Sequence, residues 1–159
     1  MKSNTDVSLI DLYPYRWIHK TPEFLILKRS NTVIYSGQWR MIGGKLQTNE
    51  TASDAALREL SEETGLVPKL FWCVPSINSF FDFKQNKIQH IPVFSAEIEP
   101  ESEIKLNHEH IEYQWITIDA VDTFLKWPEQ IRLTSLIHHL LTSATIAKEW
   151  IIDHEQMHP

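Results

Sequence analysis

The sequence predicts an α/β fold in which a mixed β-sheet carries helices on its faces. Three observations indicate this class: apolar strand-like segments through much of the chain, one short helix among them, and a helical pattern near the C-terminus. The chain has 159 residues, 42% of them hydrophobic and 23% charged, which suits a substantial core with an ordinary globular surface. We therefore expect one domain over residues 1–159, with its core at about 5–150 and a short C-terminal tail.

Strand and helix boundaries follow from periodicity and from turn residues. Strands are predicted at about 9–17, 23–29, 68–83 in one or two pieces, 88–98 and 111–116. Helices are predicted at about 51–64, 119–127 and 129–150. Thr51 followed by Asp54 is a typical helix start, and Gly65 is a typical stop. Gln85-Asn86-Lys87 is typical of a hairpin tip, and Trp127-Pro128 separates the last two helices.

The helix at about 51–64 carries glutamates that a solvated face alone does not explain. At about 100° per residue, its apolar residues span an arc of roughly 140°, with Glu63 just inside the edge and Glu59 just outside it. Glu62 points more toward solvent, where Arg58 can reach it at the i+4 spacing. Arg58 points about 100° away from Glu59, so we do not expect it to neutralise the Glu59–Glu63 pair by itself. A divalent ion such as Mg²⁺ or Mn²⁺ would do so, since carboxylate oxygens are its preferred ligands.

Two glycines, Gly43 and Gly44, precede this helix. We expect them in a loop whose backbone approaches a ligand closely, and the free amides at the helix start favour an anion there. A tight turn without a ligand is the alternative explanation of such a pair. Trp39, just before the glycines, is equally consistent with base stacking and with anchoring of the loop.

Nine positions between Gly44 and Leu66 follow one spacing: glycine, five residues, Glu50, seven residues, then Arg58-Glu59-Leu60-x-Glu62-Glu63-x-Gly65-Leu66. In this motif the chain resembles the Nudix hydrolases. The resemblance implies an α/β/α sandwich with a mixed sheet, and hydrolysis of a phosphoanhydride bond assisted by Mg²⁺ or Mn²⁺. It also implies that Glu59, Glu63 and the Gly43 carbonyl hold metal, that Glu62 binds a second ion or aligns water, and that Arg58 and Glu50 orient the glutamates.

A second segment, His108-Glu109-His110, lies shortly before Trp115. It is similar to the part of the dATP and dihydroneopterin triphosphate pyrophosphatases that supplies a third metal carboxylate, and Glu109 occupies that place. The two histidines could form a metal site of their own. Hard, oxygen-rich sites disfavour imidazole, so we expect both as loop or supporting residues.

The resemblance favours a nucleoside triphosphate-like substrate of the dATP or dihydroneopterin triphosphate class. Phe81 stands where the ADP-ribose branch often has proline, and Asp82-Phe83-Lys84 where the dinucleoside polyphosphate branch often has tyrosine, so both branches are less favoured. The alternatives are an 8-oxo-dGTP-type sanitising enzyme, a nucleoside diphosphate sugar pyrophosphatase, and a non-catalytic nucleotide-sensing module, against which the complete set of carboxylates argues. The candidate substrate-binding residues are Trp39, Gly44, Lys45, Arg29 and Phe81.

Charge and cysteine content limit the partners and the compartment. The net charge of −6 argues against a sequence-independent nucleic-acid binder but not against a phosphate substrate, because a bound metal supplies positive charge locally. Cys73 is the one cysteine, so no internal disulfide can form, and no signal-type or membrane-length apolar stretch stands out. We expect a cytoplasmic monomer or homodimer that acts on a small nucleotide, with neither a nucleic-acid nor a membrane partner.

Overall fold

A mixed seven-stranded sheet forms the centre of the computed structural model, which describes residues 6–143 and 145–155. The strands are β1 (Leu9–Ile18), β2 (Thr21–Arg29), β3 (Trp39–Arg40), β4 (Ile42–Lys45), β5 (Leu70–Asp82), β6 (Lys87–Glu97) and β7 (His110–Ile116). The α-helices are α1 (Ala52–Thr64), α2 (Val121–Phe124) and α3 (Pro128–Ser143), and short 3₁₀ segments occupy Ile118–Ala120 and Lys148–Trp150. Within the described residues, no helix has the length and apolar character needed to cross a bilayer.

Strand β1 organises the sheet. It runs parallel to β6 along one edge, and along its other edge it pairs antiparallel with β4 in its first half and with β2 in its second half. Strand β2 pairs with β7 on its outer edge and with β3 on the edge that faces β1. The segment 39–45 is therefore held between the ends of β1 and β2, where these two strands separate.

The prediction that Gly43 and Gly44 lie in a loop is wrong. Both belong to β4, where Gly43 pairs with Asp11 and Gly44 with Ile10. Glycine is a weak strand former, so a four-residue strand with two glycines carries no propensity signal. Only the pairing with β1 makes this segment a strand.

Two apolar cores lie on opposite faces of the sheet because successive strand residues point to opposite sides. On one face α1 packs Ala55, Ala56, Leu57 and Leu60 against strand residues such as Leu12. On the other face α2 and α3 cover residues that include Tyr13, Phe24 and Val93. Complete burial of a leucine such as Leu60 contributes about 1.5–3 kcal/mol. The layers are helix, sheet and helix.

Helix α1 agrees with its predicted bounds. The Thr51 hydroxyl accepts a hydrogen bond from the Asp54 amide at 3.2 Å, and Gly65 ends the helix in the left-handed conformation at φ 72°. Because both caps are local, the sequence pattern is sufficient to place this helix.

The two C-terminal helices are shorter than predicted. In place of a helix over 119–127, the chain forms a 3₁₀ turn and the single turn of α2, after which Leu125 extends and bridges to Trp39. Helix α3 ends at Ser143, and residues 145–147 are not helical. Trp150 instead stacks on Trp72, so tertiary packing determines the course of this segment.

Candidate metal and nucleotide site

Helix α1 directs Glu59 and Glu63 toward the end of the sheet where β4 lies. These residues are one helical turn apart and therefore share a face of the helix. Glu63 is only 1% exposed, Glu59 is half-buried, and the Glu62 side chain is 53% exposed. The predicted order of burial along the helix is therefore observed, with Glu63 further from water than Glu59.

Glu63 is a buried acid that lies near two other carboxylates. Its Oε2 atom is buried and has no hydrogen-bond partner among the described residues. Burial, together with the nearby charges of Glu59 and Glu109, raises the pKa of Glu63 from 4.5 to about 9. An unpartnered carboxyl oxygen beside two other carboxylates is suited to a hard divalent cation.

Glu109 lies beside Glu63, although the two residues are distant in sequence. Ligand atoms of Glu63, Glu109 and His110 all lie within 4.8 Å of one another. The Ser30 amide donates to the Glu109 carbonyl at 2.8 Å, which ties this loop to the end of β2. Arg29 Nη1 lies 3.7 Å from Glu109 Oε2 and partly balances its charge.

His110 is closer to the site than the sequence indicated. It is buried, and burial together with the nearby Arg29 charge lowers its pKa to about 4. The ring is therefore neutral at physiological pH, and one of its nitrogens belongs to the same cluster as Glu63 and Glu109. The sequence predicted only a loop or supporting role because an imidazole is an unusual ligand in an oxygen-rich site.

Arg58 binds more of the glutamates than its position on the helix suggested. Its guanidinium contacts Glu59 at 2.8 Å and Glu62 at 3.2 Å, forms two bonds of 2.7 and 3.0 Å to Glu50, and donates to the Lys45 carbonyl at 2.9 Å. Arg58 thus binds Glu59, but among the described residues it makes no contact with Glu63, so it does not by itself neutralise the Glu59–Glu63 pair. Burial nevertheless raises the pKa of Glu59.

Gly44 makes room for the Glu59 carboxylate. A β-carbon at residue 44 would overlap the Glu59 side chain, whereas one at residue 43 would meet Asp11 Oδ1 and the Ile10 carbonyl at an ordinary 3.4 Å. Close approach is therefore the reason for glycine at position 44. The free oxygen of Glu63, the Gly44 cradle and the oxygen-rich donor set together fit Mg²⁺ or Mn²⁺.

A cleft of about 1000 Å³ runs along the end of the sheet beside these residues. Three of the five predicted substrate-binding residues line it, namely Arg29, Gly44 and Lys45. The predicted metal-site residues Gly43, Arg58, Glu59 and Glu109 line it as well. The two remaining predicted substrate-binding residues, Trp39 and Phe81, do not belong to its lining. Trp39 packs edge to face on Phe124 at 5.6 Å, which favours the anchoring role, and Phe81 is 59% exposed while its neighbour Phe80 lines the cleft.

The cleft is also lined by polar residues that were not predicted from the sequence. Asp11 and Asn78 lie there, and Asn78 Nδ2 donates to Asp11 Oδ2 at 2.7 Å. Burial raises the pKa of Asp11 to about 6. Arg40 lies over the Tyr35 and Trp127 rings at 4.4 and 4.9 Å and lines the same region. The sequence signal for this part of the cleft was a single acidic residue, Asp11, within the otherwise apolar start of β1.

Known proteins are similar to this chain in sequence and in fold. Residues 17–139 match the model of the NUDIX domain. An oxidized purine nucleoside triphosphate hydrolase from Danio rerio is 32% identical over 100 residues, and the match spans 60% of this chain and 60% of that relative. A nucleoside triphosphatase NudI from Salmonella paratyphi B is 25% identical over 137 residues, with 81% of this chain and 89% of that one covered.

A solved structure of a C. elegans Ap4A hydrolase binary complex aligns with a TM-score of 0.72 at 21% identity, covering 87% of this chain and 99% of the other. This likeness confirms the predicted α/β/α sandwich. The family match extends over more than half of the chain and includes α1 with its glutamates and strands β2 to β7. The chain therefore belongs to the NUDIX domain family.

Proposed function

We propose that this protein hydrolyses a phosphoanhydride bond in a nucleoside triphosphate-like substrate, with Mg²⁺ or Mn²⁺ as cofactor. The buried Glu63 Oε2 atom carries this proposal, since it has no hydrogen-bond partner among the described residues and its carboxylate lies beside Glu109. The proposed substrates are dATP or dihydroneopterin triphosphate. Hydrolysis of an oxidised purine nucleoside triphosphate is the second candidate, supported by the similarity to the hydrolase from Danio rerio.

The carboxylates divide into two proposed roles. Glu59, Glu63 and Glu109 would hold the ion together with the Gly43 carbonyl, and Glu62 would bind a second ion or align the attacking water. When bound, a divalent ion supplies positive charge to the phosphate oxygens and favours ionisation of the attacking water. One of the glutamates on α1 accepts the proton.

Other residues position these groups and the substrate. Arg58 fixes Glu59 while its two bonds to Glu50 hold the guanidinium in place. Arg29 and Lys45 line the cleft and would attract the polyphosphate. Gly44 leaves the space in which Glu59 sits.

A metal-dependent release assay tests the proposal. Purified protein should release pyrophosphate or phosphate from at least one member of a panel that includes dATP, dihydroneopterin triphosphate and 8-oxo-dGTP in the presence of Mg²⁺ or Mn²⁺. Chelator should abolish the release and added metal should restore it, because three carboxylates cannot otherwise approach a polyphosphate. Activity that persists in chelator contradicts the metal site, and binding without turnover supports the nucleotide-sensing alternative.

Glu109 and Glu112 provide a matched pair of substitutions. We expect Glu109→Gln to raise the metal concentration needed for half-maximal rate by about tenfold or more, because a ligand near Glu63 loses its charge. Glu112→Gln should leave this concentration nearly unchanged, since Glu112 is exposed and pairs with Lys28 at 3.5 Å. Metal titrations of both variants provide the measurement. Damage from Glu112→Gln with a silent Glu109→Gln would contradict the assignment.

A further inference from the structure

The cleft has a second acidic element on the opposite face of β1 from helix α1. Ile10 and Leu12 point into the core under α1, so Asp11 between them points to the α3 side. Its side chain is only 7% exposed and still lines the cleft. Two residues assigned above to the metal or the polyphosphate share this face: Gly43, the partner of Asp11 in β4, and Lys45, which pairs with Leu9.

One oxygen of Asp11 accepts a hydrogen bond from the protein, and the other has no donor among the described residues. Asn78 donates to Oδ2, which fixes the plane of the carboxyl group. Among the described residues, none hydrogen-bonds to Oδ1 and no cationic side chain lies within 4.0 Å of this carboxylate. Because Asp11 lines the cleft and Oδ1 is not among the buried unpartnered atoms, this oxygen is accessible from the cleft. It can therefore accept a hydrogen bond from a ligand that presents N–H groups.

The surroundings suit a flat heterocycle. Phe80 and Ile91 supply apolar walls, and Gln130 adds a polar group from α3. The Met41 amide donates to Gln130 Oε1 at 3.4 Å, which leaves the Gln130 amide nitrogen as a donor without a partner among the described residues. The cleft thus offers carboxylate acceptors together with an amide donor, the pattern that complements adjacent N–H groups beside a carbonyl.

We infer that Asp11 is a specificity-determining residue that recognises the 2-amino-4-oxopyrimidine edge shared by guanine and pterins. This edge presents a ring N–H and an exocyclic amino group side by side. The Asp11 carboxylate can accept from both, one at Oδ1 and the other at the second lone pair of Oδ2, which also accepts from Asn78. Adenine places a ring acceptor beside its amino group, which would face the carboxylate oxygen unfavourably. The inference rests on the proposed function and selects the pterin- and guanine-like substrates within it.

Equilibrium binding to nucleoside monophosphates tests this inference without requiring turnover. With Mg²⁺ present, the wild-type protein should bind dGMP roughly tenfold or more tightly than dIMP, which lacks only the 2-amino group, and more tightly than dAMP. Asp11→Asn should bring the dGMP-to-dIMP ratio close to one. The exposed Asp122→Asn variant, away from the cleft, should keep the wild-type ratio.

The ratio of two dissociation constants is independent of the fraction of protein that folds, so partial misfolding of the variant does not mimic the effect. Equal binding of dGMP and dIMP to the wild-type protein overturns the inference, and this result does not depend on whether Asp11→Asn folds. A wild-type dGMP-to-dIMP ratio in Asp11→Asn also overturns it. Neopterin monophosphate distinguishes a pterin from a guanine ligand. Whichever of neopterin monophosphate and dGMP has the lower dissociation constant identifies the preferred ring. If the protein hydrolyses a substrate but does not prefer dGMP over dIMP, only this inference is refuted. If it prefers dGMP but hydrolyses nothing, only the proposed hydrolysis is refuted.

Discussion

Replacing Glu63 by glutamine should lower kcat by roughly a thousandfold or more, because loss of metal stabilisation of the transition state is worth several kcal/mol. Glutamine keeps the shape of the side chain but removes the charge that holds the ion. Steady-state kinetics at saturating metal measure the effect. The exposed Glu101→Gln substitution is the control and should retain wild-type kcat. A loss below about tenfold would mean that Glu63 is not a ligand.

The Glu63→Gln variant should also differ from the wild type in thermal stability. Because the folded pKa of Glu63 is raised to about 9, the folded protein favours the neutral carboxyl, and its contribution to stability is lost as pH rises from 4.5 through about 9. Without metal at neutral pH, Glu63→Gln should therefore melt about 4 °C or more above the wild type. Added Mg²⁺ should raise the Tm of the wild type and not that of the variant. A lower Tm for the metal-free variant would contradict the unpartnered state of Glu63.

Substituting Gly44 by alanine should lower kcat about a hundredfold while the fold persists. The added β-carbon would occupy the space of the Glu59 carboxylate, and this flexible side chain can swing away at little cost in stability. A displacement of about 1 Å in a catalytic group is sufficient for such a loss. Kinetics and thermal melting, measured on the same preparation, separate the two effects.

Gly43→Ala is the comparison for that experiment. A β-carbon at residue 43 meets its neighbours only at 3.4 Å, so we expect a much smaller loss of kcat than for residue 44. Equal losses in the two variants would show that the strand as a whole, and not the space for Glu59, controls activity. A large fall in Tm for Gly44→Ala would show that Glu59 cannot move aside.

The family, the fold class and helix α1 could be predicted because their signals are local. A helix repeats every 3.6 residues, so the sequence places Glu59 and Glu63 on one face and Glu62 toward solvent without knowledge of the rest of the chain. Thr51 and Gly65 mark its ends within a few residues of where they act. The sequence of this segment by itself therefore determines which carboxylates share a face.

The tertiary structure decided the features that join distant segments. Strand β4 exists because β1 pairs with it, and Gly44 meets Glu59 only after that pairing. Asp11 and Asn78 are 67 residues apart, and neither has a neighbour in sequence that indicates the other. His110 joins Glu63 only because β7 pairs with β2. Periodicity describes which way a side chain points within its own element, whereas burial and partners depend on how the elements pack together.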